Sequence, residues 1–342
     1  MALLLIGPAW PLLADHALGG EGTDALKHIW TQWWTWDRLV AEGGLPMRSH
    51  HLYFPEGGAF YGVDGGNVFL GAPLRPWLSP TLVYNLLIPL NLVLAALGAW
   101  ALARELELRS PLLAGAIFAF NSWLLAFSIN SGVTETLSLV PFPLILLAGL
   151  RVVSRPDRAA VVALPLLLAV QAFACWSYAI QASVLLAILG LVRIRSRAAA
   201  LRVGLSVVLL ALIALPAYLG VQGTVEEGAI YERHLSVFPS EWRPWTLAVT
   251  SALPLVDFID PGGLYVADTG VDRLLYACWL GVPTMLLAAL GLRRRPWIAA
   301  LCALLLLLAL GPRICLDHER IWPGLINVIY WPLYMAFPLF NA

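Results

Sequence analysis

The chain has 342 residues, 60% of them hydrophobic and 12% charged, with a formal net charge of zero. Soluble globular chains are about half apolar and about a quarter charged, so this composition is that of a polytopic membrane protein, and counting soluble domains by length does not apply. Neutrality removes the basic surface that nucleic-acid binding needs.

The first apolar stretch, Ala2–Ala14, is shorter than the roughly 20 residues of a spanning helix and lacks the basic leader of a signal peptide. A polar region, 15–79, follows and reads as the first outer loop. Its opening segment, Gly19 to Gly44, has helical periodicity from Asp24 onward. One face carries Asp24, Lys27, His28, Thr31, Thr35, Arg38 and Glu42; the other carries Leu26, Ile29, Trp30, Trp33 and Val40. The tryptophans Trp30, Trp33, Trp34 and Trp36 suit an amphipathic helix lying in a membrane interface, half wet and half buried. The rest of the loop is punctuated by glycine and proline, which predicts loops and short helices rather than strands.

Further apolar segments lie near Thr81–Ala103, Pro111–Ile129, Leu137–Val153, Ala159–Ala174, Tyr178–Val192, Val203–Val221, Leu274–Leu292, Trp297–Leu310 and Leu325–Phe340. With the first they predict an all-α transmembrane bundle of about ten spans in one domain, 1–342. The stretch Ala159–Val192 is too long for one span, and a hairpin turning at Cys175-Trp176-Ser177 fits it. The chain ends at Asn341-Ala342 without a polar flank, which reads as truncation at the C-terminus. The four cysteines form no CxxC pair and no disulfide framework.

Arginines set the orientation. Arg104, Arg109, Arg151, Arg155, Arg158, the Arg193–Arg202 segment and Arg293 to Arg295 fall in short loops on one side, which the positive-inside rule makes cytoplasmic. Both long loops, 15–79 and 222–273, are then extracytoplasmic, together with all six histidines. The predicted spans contain no Asp, Glu, Lys or Arg, whereas ion-coupled transporters carry ionisable groups at membrane depth.

Titratable chemistry therefore concentrates outside. Asp24 and His28 stand four residues apart on one helical face, where a carboxylate beside an imidazole can act as a general base; the plain alternative is that Asp24 caps the helix. His50-His51 form a metal site only if Asp24 or Glu56 joins them. Glu56, in Pro55-Glu56-Gly57-Gly58, and Asp64, in Asp64-Gly65-Gly66-Asn67, read as turn residues that matter if the loop folds back over the membrane face. Glu135 either faces the same aqueous cavity as Asp24 or occupies the first turn of a helix capped by Thr134 or Thr136. Arg233 and His234, with Arg243, can hold a phosphate.

Taken in order, the pattern GxxTDxxxHxWxxWW at Gly20–Trp34, YFPEGG at Tyr53–Gly58 and GxTExxxxxPxPLxLL at Gly132–Leu147 resembles membrane glycosyltransferases of the bacterial GT-C superfamily. The resemblance implies a polyprenyl-phosphate-linked sugar as donor and an active face outside the inner membrane. It implies that Asp24, the acid of the first outer loop, is catalytic or sits beside the catalytic site. Within that scheme His28 and Glu135 assist Asp24, while Lys27, His50, His51, Glu56, Asp64, Arg233 and His234 contact substrate. A DxD or adjacent Asp-Glu pair is absent, which leaves a divalent cation open as a cofactor. The competing readings are a lipid-linked saccharide flippase, with Gln171 and Gln181 as its polar path, and a non-catalytic membrane scaffold.

Overall fold

A computed structural model of the chain describes residues 16–19, 24–44, 48–49, 51, 58–59, 64–125, 128–129, 132–134, 137, 140–227, 300, 302–303, 313–314 and 325–326. The predicted spans at Ala2–Ala14, Leu274–Leu292 and Trp297–Leu310 lie wholly or mostly outside these residues. The chain divides into two compact units, residues 1–120 with 127–229, and residues 121–126 with 230–342.

The first unit is helical: α1 (Ala25–Val40), α2 (Gly65–Gly71), α3 (Pro80–Glu105), α4 (Pro111–Ala119), α5 (Pro141–Ser154), α6 (Arg158–Ala174), α7 (Trp176–Arg193) and α8 (Arg197–Glu227). The predicted interfacial helix, the span at Thr81–Ala103 and the later spans from Leu137 to Val221 thus correspond to helices. Pro80 and Pro111 open α3 and α4 at the first turn, where a missing N–H costs nothing. The Ser79 hydroxyl accepts from Leu82 N, and the Asp157 carboxylate accepts from Ala160 N, capping α3 and α6. The hairpin expected at Cys175 is present: extended backbone at Cys175 ends α6, and α7 begins at the next residue.

Two expectations change. The span predicted at Pro111–Ile129 is not one helix. The N–H of Phe120 closes α4 on Ala116 O, and the Asn121 side chain then accepts from Leu124 N, the bond of a residue that starts a new turn rather than continuing an old one. The first outer loop also contains a two-residue antiparallel pairing, Arg48↔Ala59 and Ser49↔Gly58, where no strand was expected. In the second unit, the described elements are a helical turn at Ser122–Leu125 and a pairing of Arg313-Ile314 with Leu325-Ile326; the latter occupies the start of the predicted span at Leu325–Phe340.

The core of the first unit joins Ile145, Ala148 and Val152 of α5 to Val161, Leu164 and Leu168 of α6 and Ala182 of α7. Small residues bring the helices close. A Cβ on Gly115 would stand 2.5 Å from the carbonyl oxygen of Ala96, so α4 lies directly on the α3 backbone. Pro80–Glu105 and Arg197–Leu215 are long and apolar enough to cross a membrane; α5, α6 and α7 are shorter apolar helices. Their outward faces are apolar too: Val93 and Leu97 on α3, Val162, Leu166 and Val170 on α6, Leu205, Val208 and Leu212 on α8. The buried positions, in contrast, include Asn85, Asn91, Gln171 and Ser206.

The arginine-bearing helix ends gather. Arg151 at the end of α5 donates to Glu105 at the end of α3 at 2.9 Å, Arg155 pairs with the same carboxylate, and Arg202 near the start of α8 donates to Val152 O. The beginning of α3 and the end of α6 lie at the other end of these helices, and there the polar loops collect.

Candidate functional site

Helix α1 is oriented opposite to a simple polar-out reading. Its buried residues are Ala25, His28, Thr31, Gln32, Trp34 and Thr35, while Leu26 (62% exposed), Trp33 and Val40 face outward. A polar stripe turned inward demands partners, and the sequence supplies one from the next loop. Asp64 is fully buried at the head of α2, with φ at +66°, in the left-handed region that Asp tolerates better than most side chains.

Asp64 is the hub. Its Oδ2 accepts from Gln32 Nε2 at 2.8 Å and from Thr134 Oγ1 at 2.5 Å; its Oδ1 accepts from Asn67 Nδ2 at 2.5 Å. Its backbone N–H donates to Ala174 O at the end of α6. Asn91 of α3 donates to Asn67 Oδ1 at 2.6 Å, extending the network. One carboxylate thereby ties α1, α2, α3, α6 and the 132–134 loop together. Beside it, the Tyr84 hydroxyl donates to Gly132 O at 2.8 Å, with Leu18 O a longer second acceptor at 3.2 Å, and Asn85 holds the backbone of His16 and Leu18. Gly132, also at positive φ, lies so close to α1 that a Cβ there would be 2.6 Å from Ala25 Cβ.

The sequence-predicted residues divide clearly. Asp24 is about half exposed and pairs with Lys27 Nζ at 2.9 Å. It occupies the N-cap position of α1, as the plain alternative has it, although its side chain makes no capping hydrogen bond. His28 is fully buried, and its Nδ1 lies 3.5 Å from Asp64 Oδ2, too long for a hydrogen bond but within range of a charge pair when the imidazole is protonated. The carboxylate beside His28 is therefore Asp64 and not Asp24, which stands at the N-cap and turns to Lys27 at the surface while His28 is buried. Asp64 is no solvated turn residue. Thr134 does not cap α5, which begins at Pro141; it is fully buried and donates to Asp64. Gly132 lies against Ala25 of α1, and Thr134 reaches Asp64. His51 is exposed. His50, Glu56, Glu135, Arg233 and His234 lie outside the described residues. Gln171 is buried whereas Gln181 is exposed, so the two do not form one polar path. Among the described residues no group of three His, Cys, Asp or Glu side chains could hold a metal ion.

Residues that sequence reasoning passed over complete the site. Gln32 and Asn91 had no motif to mark them, although a glutamine on an otherwise aromatic helix stretch was a usable signal, while Asn67 and Thr134 were noted only as a turn residue and a helix cap. Polar capacity remains unmet on the inner stripe of α1: both ring nitrogens of His28, Gln32 Oε1 and Thr35 Oγ1 are buried without a hydrogen-bond partner among the described residues. Arg75, between α2 and α3, is in the same condition at Nε and Nη2, and burial pushes it down to about 10.

Behind the polar hub lies an apolar cavity of about 670 Å³. Phe69 and Leu70 of α2, Leu94 of α3, Leu144 of α5, Leu166 and Phe173 of α6 and Ile213 of α8 line it. Asn67 and Asn91 are its polar wall, and Asn67 is bonded directly to Asp64. Leu166, Val170 and Phe69 are about half exposed, so the cavity opens sideways onto the apolar outer surface. Comparison with protein-family models, curated proteins and solved structures found no match to this chain.

Proposed function

We propose that this chain is a polytopic membrane glycosyltransferase of GT-C type. It moves a sugar from a polyprenyl-phosphate donor to an acceptor on the extracytoplasmic side of a bacterial inner membrane. The observation that carries the reading is the juxtaposition at one end of the bundle: an apolar cavity open to the side, a carboxylate network that reaches its wall through Asn67, and an exposed carboxylate at Asp24, about two helical turns before the network's Gln32. A pocket of this volume suits a segment of a lipid chain rather than a whole polyprenol. The apolar outward faces of the helices, with Asn85, Asn91, Gln171 and Ser206 among the buried positions, support immersion in lipid. The arginine-bearing ends lie at the opposite end from the polar hub, as the positive-inside rule requires of an outward-facing site.

The two described carboxylates take different parts. Asp64 has its oxygens occupied by three donors, so it organises the site and holds α1 against α2. Asp24 is exposed and reachable by an acceptor. In the proposed step the acceptor hydroxyl oxygen bonds to the anomeric carbon and its proton passes to Asp24. The bond from that carbon to the phosphate oxygen breaks, the phosphate keeps the electron pair, and the anomeric centre inverts. Lys27, 2.9 Å from Asp24, supplies positive charge beside the developing anion. Glu135, which follows Thr134 in the sequence, is the second acid of this scheme.

The test offers purified full-length protein either polyprenyl-phosphate sugars or the corresponding nucleotide sugars, with acceptor lipids and glycans. Transfer from the lipid-linked donors alone is the expected result. Transfer from nucleotide sugars would refute the donor class. Movement of intact donor across proteoliposomes without sugar transfer would establish the flippase reading instead.

A further inference from the structure

We infer that Arg75 is a phosphate-binding residue, presenting the side-on edge of its guanidinium to the phosphate group of a mono- or diester, on the turn that follows α2, the helix whose Phe69 and Leu70 line the apolar cavity. The edge is defined by the two nitrogens that are buried without a partner among the described residues, Nε and Nη2. These adjacent N–H groups are the parallel pair that meets two phosphate oxygens at once. Arg75 is only half-buried, but this edge is shielded from water with no hydrogen-bond partner among the described residues, which is unfavourable until an anion meets it.

The neighbouring acids are committed elsewhere. Asp64 is taken up by Gln32, Asn67 and Thr134, and Glu105, at the far end of α3, by Arg151 and Arg155. The backbone of Arg75 is fixed by a tightly wound turn: Leu74 N and Arg75 N both donate to Gly71 O, and Trp77 N and Leu78 N both donate to Leu74 O. That turn leaves α2 one residue after Leu70, which lines the cavity, and leads into α3, which lines it through Asn91 and Leu94. Trp77, 83% exposed two residues on, fits an indole at the headgroup level of a membrane. A chain in the cavity and its phosphate on Arg75 would belong to one lipid, and to that extent the assignment rests on the lipid-phosphate donor reading.

The experiment measures ligand protection of the purified full chain in detergent, as the shift in thermal midpoint against concentration of farnesyl phosphate, farnesol and inorganic phosphate. It uses wild type, Arg75→Gln and Arg75→Lys. Farnesyl phosphate should protect wild type, and the half-protecting concentration should rise about 30-fold or more in Arg75→Gln and several-fold in Arg75→Lys, which keeps the charge and loses the paired edge. Farnesol should act equally on all three. Protection by farnesyl phosphate alone assigns the site to lipid-borne phosphate; protection by inorganic phosphate as well assigns it to the free anion too. Without ligand, Arg75→Gln should melt close to or above the wild-type temperature, because it removes a half-buried cation whose Nε and Nη2 have no partner among the described residues. Absence of protection of wild type by either phosphate, equal protection of Arg75→Gln, or a ligand-free Arg75→Gln that melts well below wild type or fails to fold would overturn the inference. No step of this measurement requires sugar transfer, so failure of the transferase reading shows separately, in the donor assay.

Discussion

Replacing Asp64 by alanine should be among the most damaging single changes in the described part of the chain. Three buried donors lose their acceptor: the amides of Gln32 and Asn67 and the hydroxyl of Thr134. A buried donor left unmet costs about 1–3 kcal/mol, with the rotatable hydroxyl at the low end. The left-handed backbone at φ +66° adds about 1 kcal/mol for alanine, which lacks the local bonding that lets Asp adopt it. Removing a buried charge returns part of this. The net loss is about 4 kcal/mol, a large share of the roughly 5–15 kcal/mol that holds a typical fold. In thermal unfolding followed by tryptophan fluorescence in detergent, this corresponds to a fall on the order of 10 °C. Asp64→Asn keeps the backbone preference but turns one acceptor into a donor, and should lose about half as much as alanine. Asp24→Ala is the control: its pair with Lys27 is largely exposed and contributes at most about 1 kcal/mol. An Asp64→Ala protein melting within about 2 °C of wild type would refute the argument that this carboxylate ties α1 to the bundle.

Other expectations follow from the same packing. Gly132→Ala places a Cβ 2.6 Å from Ala25 at a backbone with φ +66°, and should destabilise by about 2 kcal/mol, read as a lower melting point. Gly115→Ala pushes against the Ala96 carbonyl at 2.5 Å and should cost about 1–3 kcal/mol by separating α3 from α4, with equal loss at every pH. In a cysteine-free background, His51→Cys should react with an impermeant thiol reagent added to the outside of cells and Ser110→Cys should not, both positions being exposed. The reverse pattern would invert the topology and move the site to the cytoplasm.

The helices were legible because apolar runs, prolines at helix starts and capping residues are local signals. The break after Ala119 was not, because it depends on Asn121 binding Leu124 N inside an otherwise apolar run. Helix α1 has the bounds expected of it, but which of its faces meets the protein was left open. Its periodicity separates a polar from an apolar face, but periodicity alone does not say which face meets the protein when the surroundings can be lipid. The same ambiguity joined His28 to Asp24 rather than to Asp64, a partner that only folding brings near. Asp64-Gly65-Gly66-Asn67 has the composition of a solvated turn, and nothing in its own neighbourhood announces that Gln32 and Thr134 converge on it. Arg75 lay between prolines without a motif, although an arginine with no acid within ten residues on either side is a pattern worth noticing.

The central claim, an outward-facing transferase with Asp24 as its base, is tested most directly by the transfer rate of Asp24→Asn on the lipid-linked donor that wild type uses. Asparagine preserves shape and removes the proton acceptor. The account predicts normal expression, a melting point within about 2 °C of wild type, and a rate lower by about 10²–10⁴-fold. Full activity in Asp24→Asn, or activity lost only in proportion to folded protein, would contradict it.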